Sequence, residues 1–284
     1  MATSPNGLWQ IYPGITFFMI TDAFSLKSKT ALITGAGKGI GARIATAFAE
    51  VGANVILVAR TQGDIDRVAD EVRTHGVTAT AIACDITDGS KVDTLFDQLA
   101  NTIPSLDILV NNAGAPGAGY GSLEAVNRSS FMDTIDINLT AAYHFIHRSL
   151  PLLKKPEHAA IVNISSAMSW MVDKNFAAYA AAKAGLDQMT RVLAYELAPH
   201  IRVNGIAPGA IETPATAFIT NNEQRLAETE RWIPQGRLGQ PIDIALAALY
   251  LASEASGFVS GKILEVDGGM AALPGSAIQA RLKR

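Results

Sequence analysis

From Lys29 onward, short runs rich in β-branched residues alternate with longer stretches whose apolar positions recur at helical spacing. That alternation is the pattern of βαβ units around a parallel sheet. The runs 30–34 (TALIT), 54–59 (NVILVA), 79–84, 107–111 (DILVN), 160–165 (AIVNIS), 201–206 (IRVNGI) and 263–266 are predicted strands. Helices are predicted near 39–51, 62–75, 88–102, 124–152, 175–198 and 241–253. No composition break, flexible linker or internal repeat divides the series, so residues 26–284 are expected to form one α/β domain. The last run, ILEVDGG, precedes a polar, basic tail and predicts an edge strand, a place that another subunit often covers.

Residues 1–25 are expected to be an N-terminal extension. Within it, 8–20 (LWQIYPGITFFMI) is apolar but too short to span a bilayer, and Pro13 and Gly14 interrupt it. No positively charged n-region or small-residue cleavage pattern makes it a secretory signal. The expectation for residues 1–18 is an appendage, either because translation begins at Met19 or because an apolar arm docks on a partner subunit. The expected location is cytoplasmic, with no membrane partner.

Composition narrows the function. Across 284 residues, 49% are apolar and 17% charged, which excludes general disorder. A net charge of -3 gives no electrostatic case for nucleic acid. Cys84 is the single cysteine, so no internal disulfide is expected and a reducing compartment is the simpler setting. His144 and His147 share a helical spacing but have no carboxylate or cysteine cluster around them, and no metal site is expected.

Candidate chemistry lies in two places. Tyr179 and Lys183 are four residues apart in an alanine-rich, helix-favouring run, which sets both on one helix face. An ammonium beside a phenol favours the phenolate, so Tyr179 is expected to have a lowered pKa and to exchange a proton near neutral pH. Ser165 and Ser166, at the end of a predicted strand, both supply a nearby hydroxyl. The second place is Thr34-Gly35-Ala36-Gly37-Lys38-Gly39-Ile40-Gly41, a TGxxxGxG pattern that follows a strand and opens a helix. Glycine there permits a tight turn and lets backbone N–H groups face a phosphate. The alternative GxGxxG fingerprint fails at Ile40. An NAD site usually carries an acid about twenty residues further on, whereas a cation accommodates a 2′-phosphate. Here Ala59-Arg60 stands at that point, and Lys38 and Arg60 are available to meet a phosphate, so NADP(H) is expected over NAD(H).

Taken together, TGxxxGxG at Gly35 to Gly41, Asn111-Asn112-Ala113-Gly114, Asn138, Ser166, Tyr179-xxx-Lys183 and Pro208-Gly209 resemble the short-chain dehydrogenase/reductase family over about residues 26–270. The resemblance implies a doubly wound Rossmann fold, a single parallel seven-stranded sheet with helices on both faces. It implies a catalytic tetrad of Asn138, Ser166, Tyr179 and Lys183, with Ser166 preferred because it lies thirteen residues before Tyr179. In ketone reduction Tyr179 would donate a proton to the developing alkoxide and Ser166 would hydrogen-bond the carbonyl oxygen. Lys183 would lower the Tyr179 pKa and hold the nicotinamide ribose, and Asn138 would position a water linking Lys183 to solvent. Asp85 and Ile86 would hold the adenine. Asn112, Ala113 and Gly114 would border the adenosine ribose, though Asn112 serves equally as a sheet-stabilising residue. Pro208, Gly209, Ile211 and Thr213 would seat the nicotinamide. Homodimers or homotetramers would form through the long helices and the last strand.

The substrate is less legible. Segments 115–121, 167–175 and a lid near 213–236 are expected to surround the nicotinamide, with Met168, Trp170, Met171, Phe218 and Trp232 as an apolar wall and Ser166, Met168, Trp170 and Tyr179 in contact with substrate. Val203 to Ile211 and Gly239-Gln240-Pro241-x-Asp243-Ile244 are similar to bacterial hydroxysteroid dehydrogenases of the family, and related segments occur in its ketoacyl-carrier-protein reductases and sugar dehydrogenases. A steroid-like ketone or alcohol is the expectation. The alternatives are a 3-oxoacyl-carrier-protein reductase and a non-catalytic NADP(H)-sensing regulator.

Overall fold

The computed structural model describes residues 19–272, so the expectations for residues 1–18 and for the basic tail fall outside the described residues. Strands β1 (Thr30–Thr34), β2 (Asn54–Ala59), β3 (Ala79–Ala83), β4 (Ile108–Asn111), β5 (Ala159–Ile164), β6 (Ile201–Pro208) and β7 (Ile263–Val266) form one sheet in the order β3-β2-β1-β4-β5-β6-β7. Every neighbouring pair is parallel, with Leu32 opposite both Ile56 and Leu109 at the centre. Both faces of β4 and β5 are buried along their whole length. Strands covered on two sides need apolar residues at successive positions, which is why these runs are continuous rather than alternating.

Helices α1 (Gly39–Glu50), α2 (Gln62–Arg73), α3 (Gly89–Thr102), α4 (Arg128–Ile135), α5 (Ala141–Leu153), α6 (Ala177–Glu196), α7 (Ala217–Thr220), α8 (Glu223–Trp232) and α9 (Pro241–Ala252) connect the strands. One core joins α1, α2 and α9 to the sheet through Ile44, Phe48, Ile65, Val68 and Ile244. The opposite core holds α3 and α5 through Leu95, Phe96, Phe145 and Ile146. Phe96 and Phe145 meet edge to face with centroids 5.3 Å apart. Within this second layer a polar thread crosses from sheet to helix: Asn111 Nδ2 donates to Asn163 Oδ1 at 2.9 Å, and Asn163 Nδ2 donates to Thr190 Oγ1 at 2.9 Å. Buried amides of this kind demand specific partners, so they fix β4, β5 and α6 in one register.

One expectation requires correction. The stretch 124–152 is not one helix: α4 begins only after Asn127, which accepts from the Ser130 N–H, and Asp136–Thr140 forms a π turn between α4 and α5. Apolar periodicity continues through the turn and does not register its extra residue. The lid region holds a 3₁₀ turn at Pro214–Thr216, then α7 and α8, none of which buries a residue fully. The edge position of β7 matches its sequence pattern.

Strand order reverses between β1 and β4, opening a crevice at their carboxyl ends. The loops after β1, β4, β5 and β6 converge there and carry the candidate residues.

Candidate active site

The loop after β1 turns at Gly35, whose φ is +64°, a left-handed conformation that suits glycine. Asn112 Nδ2 donates to the carbonyls of Thr34 (2.9 Å) and Gly35 (3.2 Å), while Thr34 Oγ1 accepts from the N–H groups of Asn112 and Ala113. The Asn112 amide is therefore committed to clamping the two loops together. A Cβ on Gly41 would overlap both the Gly35 carbonyl oxygen and Asn112 Nδ2. Helix α1 starts at Lys38 without a side-chain cap, whereas Asp88, Asn127 and Asn222 cap α3, α4 and α8. The first N–H groups of α1, at Gly39, Ile40 and Gly41, are left to meet an anion. The methyl of Thr213 lies 3.3 Å from where a Gly39 Cβ would stand, which brings the segment after β6 against this loop. An uncapped helix start beneath a side-chain-free turn fits the pyrophosphate of a dinucleotide.

The charges around the loop differ from the expectation. Lys38 is not free: its Nζ lies 2.9 Å from Asp64 Oδ2. Arg60 is exposed at the end of β2. Arg67, on α2, donates from Nη2 to the Gly37 carbonyl at 3.0 Å. Asp85 Oδ1 accepts from the Thr87 N–H and hydroxyl, and those bonds, with a smaller contribution from Arg60, hold its carboxyl below the usual range. Ile86 beside it is buried. After β6, the Gly209 N–H donates to Val266 at 3.1 Å, and Ile211 is buried in a bridge to Gly239. Pro208 ends β6 and feeds this segment.

The loop after β5 separates the two serines. Ser165 is buried, with its hydroxyl 3.4 Å from the Lys183 carbonyl. Ser166 instead lies beside the Tyr179 phenol, and its hydroxyl accepts from the Met168 N–H at 3.2 Å. Lys183 is buried, its Nζ donating to the Ile164 carbonyl at 2.8 Å and lying 5.6 Å from the Tyr179 ring centroid. Burial lowers its pKa to about 8, against a rise from Asp187 one turn along α6. The expected lowering of the Tyr179 pKa by Lys183 is corrected here. Burial pushes the phenol up, and the group that pulls it down is Ser166. Asn138, in the π turn, donates to the carbonyls of Ala115 (2.7 Å) and Thr134 (2.8 Å) and accepts from the Ala115 N–H (3.1 Å). A Cβ on Gly114 would stand 2.5 Å from Asn138 Oδ1 and 3.2 Å from Lys183 Nζ. The absent side chain lets those two groups approach.

Around the phenol the wall is aromatic. Tyr120 meets Phe176 edge to face at 5.0 Å, and Phe176 lies 6.1 Å from Tyr179. The Gly121 N–H donates to Asn175 at 3.1 Å, joining the two loops that carry this wall. Tyr120 lies in the expected segment 115–121, whereas Phe176 was not expected, although it stands three residues before Tyr179, a spacing that sets it beside the phenol. Met168 is half-buried, and Trp170 and Phe218 are exposed. Among the described residues, no group of three His, Cys, Asp or Glu side chains forms a metal site, and no helix is long and apolar enough to cross a membrane.

A family model described as enoyl-(acyl carrier protein) reductase matches residues 35–271. The chain is 41% identical over 255 residues to an uncharacterized oxidoreductase of Mycobacterium tuberculosis, covering 89% of this chain and 95% of the relative. It is 37% identical over 252 residues to the 7alpha-hydroxysteroid dehydrogenase of Escherichia coli, covering 88% and 96%. The structure of an RhlG/NADP active-site complex from Pseudomonas aeruginosa is similar with a TM-score of 0.79 and 34% identity, over 87% of this chain and 98% of that one. With the glycine loop, the seven-stranded sheet and the Ser-Tyr-Lys cluster in place, the chain belongs to the short-chain dehydrogenase/reductase family, enzymes that act on alcohol and ketone groups.

Proposed function

We propose that the protein is an NADP(H)-dependent oxidoreductase that interconverts a ketone and a secondary alcohol on an apolar, steroid-like substrate. The observation that carries this reading is buried Lys183, its Nζ 5.6 Å from the Tyr179 ring centroid, with Ser166 and Phe176 beside the phenol. The nicotinamide, when bound, supplies or accepts the hydride. In the reducing direction Tyr179 gives its proton to the alkoxide oxygen as charge develops there. Ser166 hydrogen-bonds the same oxygen and stabilises that charge. Lys183 returns a proton toward Tyr179, with Asn138 positioning the water that links Lys183 to solvent, and Lys183 would also hold the nicotinamide ribose.

Gly35, Gly37, Gly39, Ile40 and Gly41 would hold the pyrophosphate side of the cofactor, Asp85, Ile86, Ala113 and Gly114 the adenosine side, and Pro208, Gly209, Ile211 and Thr213 the nicotinamide. Lys38 and Arg60 favour the 2′-phosphate, and the NADP complex of the Pseudomonas relative is consistent with that. The Tyr120–Phe176 pair, with Met168 and Trp170 nearby, supports an apolar substrate, as does the hydroxysteroid named for the Escherichia coli relative. A homo-oligomer in the cytoplasm completes the reading.

A panel of free ketones and alcohols, including hydroxysteroids, assayed with NADPH and NADP tests substrate class. Fast turnover confined to carrier-bound acyl ketones would move the assignment to acyl-carrier chemistry. Tyr179→Phe tests the mechanism: turnover is expected to fall by at least about a hundredfold while NADPH affinity stays close to that of the unaltered protein. Retained turnover would remove Tyr179 as the proton donor, whereas NADPH binding by the unaltered protein with no turnover of any ketone or alcohol would leave the sensing role as the better account.

A further inference from the structure

The ion pair beside the glycine loop has no place in the chemistry above. Asp64 lies in the first turn of α2, its side chain about one-quarter exposed, with Oδ2 2.9 Å from Lys38 Nζ. It is seated by shape as well as charge. The missing side chain of Gly37 makes the room, because a Cβ there would stand 2.9 Å from the Asp64 Cβ. One turn further along α2, Arg67 grips the Gly37 carbonyl from the same helix, so loop and helix hold Asp64 at the spot where Lys38 is drawn.

We infer that Asp64 is an internal counter-anion that competes with the 2′-phosphate of a dinucleotide for Lys38, and thereby sets the degree of preference for the phosphorylated cofactor. The inference rests on the reading that the cofactor is NADP(H). A 2′-phosphate that reaches Lys38 displaces a carboxylate already paired with it and then sits as a dianion beside that carboxylate. Like charges this close raise the free energy of the bound state. An unphosphorylated ribose brings no such charge, and its hydroxyls are donors that a carboxylate accepts. Asp64 therefore opposes what Lys38 and Arg60 favour. The preference is the difference between two opposing sets of charges rather than the product of the cations alone.

The test is isothermal titration calorimetry of the full chain with NADPH and with NADH. Asp64→Asn removes the charge and keeps the side chain's size. It is expected to raise the NADPH-to-NADH affinity ratio by roughly twofold to fivefold, the scale of a partly exposed ion pair, chiefly through tighter NADPH. Asp66→Asn, on the same helix but exposed and bonded to Gln62, controls for net charge and should leave the ratio unchanged. In a Lys38→Met background the gain from Asp64→Asn should shrink, because the two residues act through one contact. An unchanged or lowered ratio in Asp64→Asn overturns the inference, and so does a ratio raised only by weaker NADH, which would make Asp64 a ribose ligand rather than a competitor for Lys38. The unaltered protein reports separately on the cofactor: a preference for NADH there sinks the NADP(H) reading, while the change produced by Asp64→Asn still judges the role of Asp64.

Discussion

Tyr179 and Lys183 were legible as a pair from their four-residue spacing, but the sign of their interaction was not. Spacing places stems, whereas the charge balance depends on what the fold packs around them. Lys183 gives its hydrogen bond to the Ile164 carbonyl, a partner remote in sequence, and its burial lowers its pKa from 10.5 to about 8. The folded protein thus holds an ammonium in a place that disfavours charge, a cost of at most about 3 kcal/mol at neutral pH. Removing it should stabilise the fold. Lys183→Met is expected to abolish turnover and yet raise stability at pH 7 by about 2 kcal/mol, after about 1 kcal/mol is allowed for the unpaired carbonyl. The sign with pH follows from linkage: between about 8 and 10.5 the unfolded chain binds the proton that folded Lys183 has released, so the unaltered protein gains stability as pH rises through that window. Its deficit against the variant should therefore close by the upper end. Tyr179 and Cys84, both pushed up by burial, act in the opposite sense at alkaline pH but are common to both proteins. Urea titrations of the two proteins across this range measure the difference. A variant less stable at pH 7 would mean that the buried ammonium is better compensated than its lowered pKa implies.

Element identities were more legible than element continuity. All seven strands and the main helices follow from apolar patterning, because burial on a sheet face or along a helix stripe is what that patterning encodes. The interruption at Asp136–Thr140 left no such trace, since a π turn changes the count of residues per turn without changing which of them are apolar. Its consequence is functional. Through the turn, Asn138 satisfies both the N–H and the carbonyl of Ala115, and so ties the 115–121 loop to the helix pair. Asn138→Ala leaves both backbone groups unpaired and is expected to cost about 1–3 kcal/mol of stability. Loosening of that loop should also raise KM for a bulky substrate, because Tyr120 and Gly121 anchor the wall facing Tyr179. Denaturant melts and steady-state kinetics read the two effects. A loss in kcat with KM and stability unchanged would assign Asn138 to proton return alone. In the lid, α8 buries no residue, so its helical character is carried by its Glu- and Arg-bearing composition rather than by an apolar stripe.

At the scale of the whole molecule, strand order decides both where the site lies and which surfaces are left over. The reversal between β1 and β4 gathers the chemistry at one end of the sheet, while β7 is left as an outer strand with one open edge. An open edge that stays in water usually carries charge, yet β7 has only Glu265 in four residues, and Leu264 beside it is exposed. Leu246 on α9 and Phe258 are exposed as well. A second apolar surface belongs to the opposite layer, where Tyr143 on α5 and Val192 and Tyr195 on α6 are exposed, Tyr195 by 89%. The two surfaces draw on different helices, so in the proposed homo-oligomer they would serve as separate two-fold contacts, and two such contacts build a tetramer where one builds a dimer. Sedimentation of the unaltered protein is therefore expected to give a tetramer. Val192→Glu with Tyr195→Glu should leave dimers, Leu246→Glu with Leu264→Glu should leave dimers of the other kind, and all four together should leave monomers. A monomeric unaltered protein would remove both interfaces. Dissociation by only one of the pairs would assign assembly to that surface and leave the other as ordinary exposed apolar area.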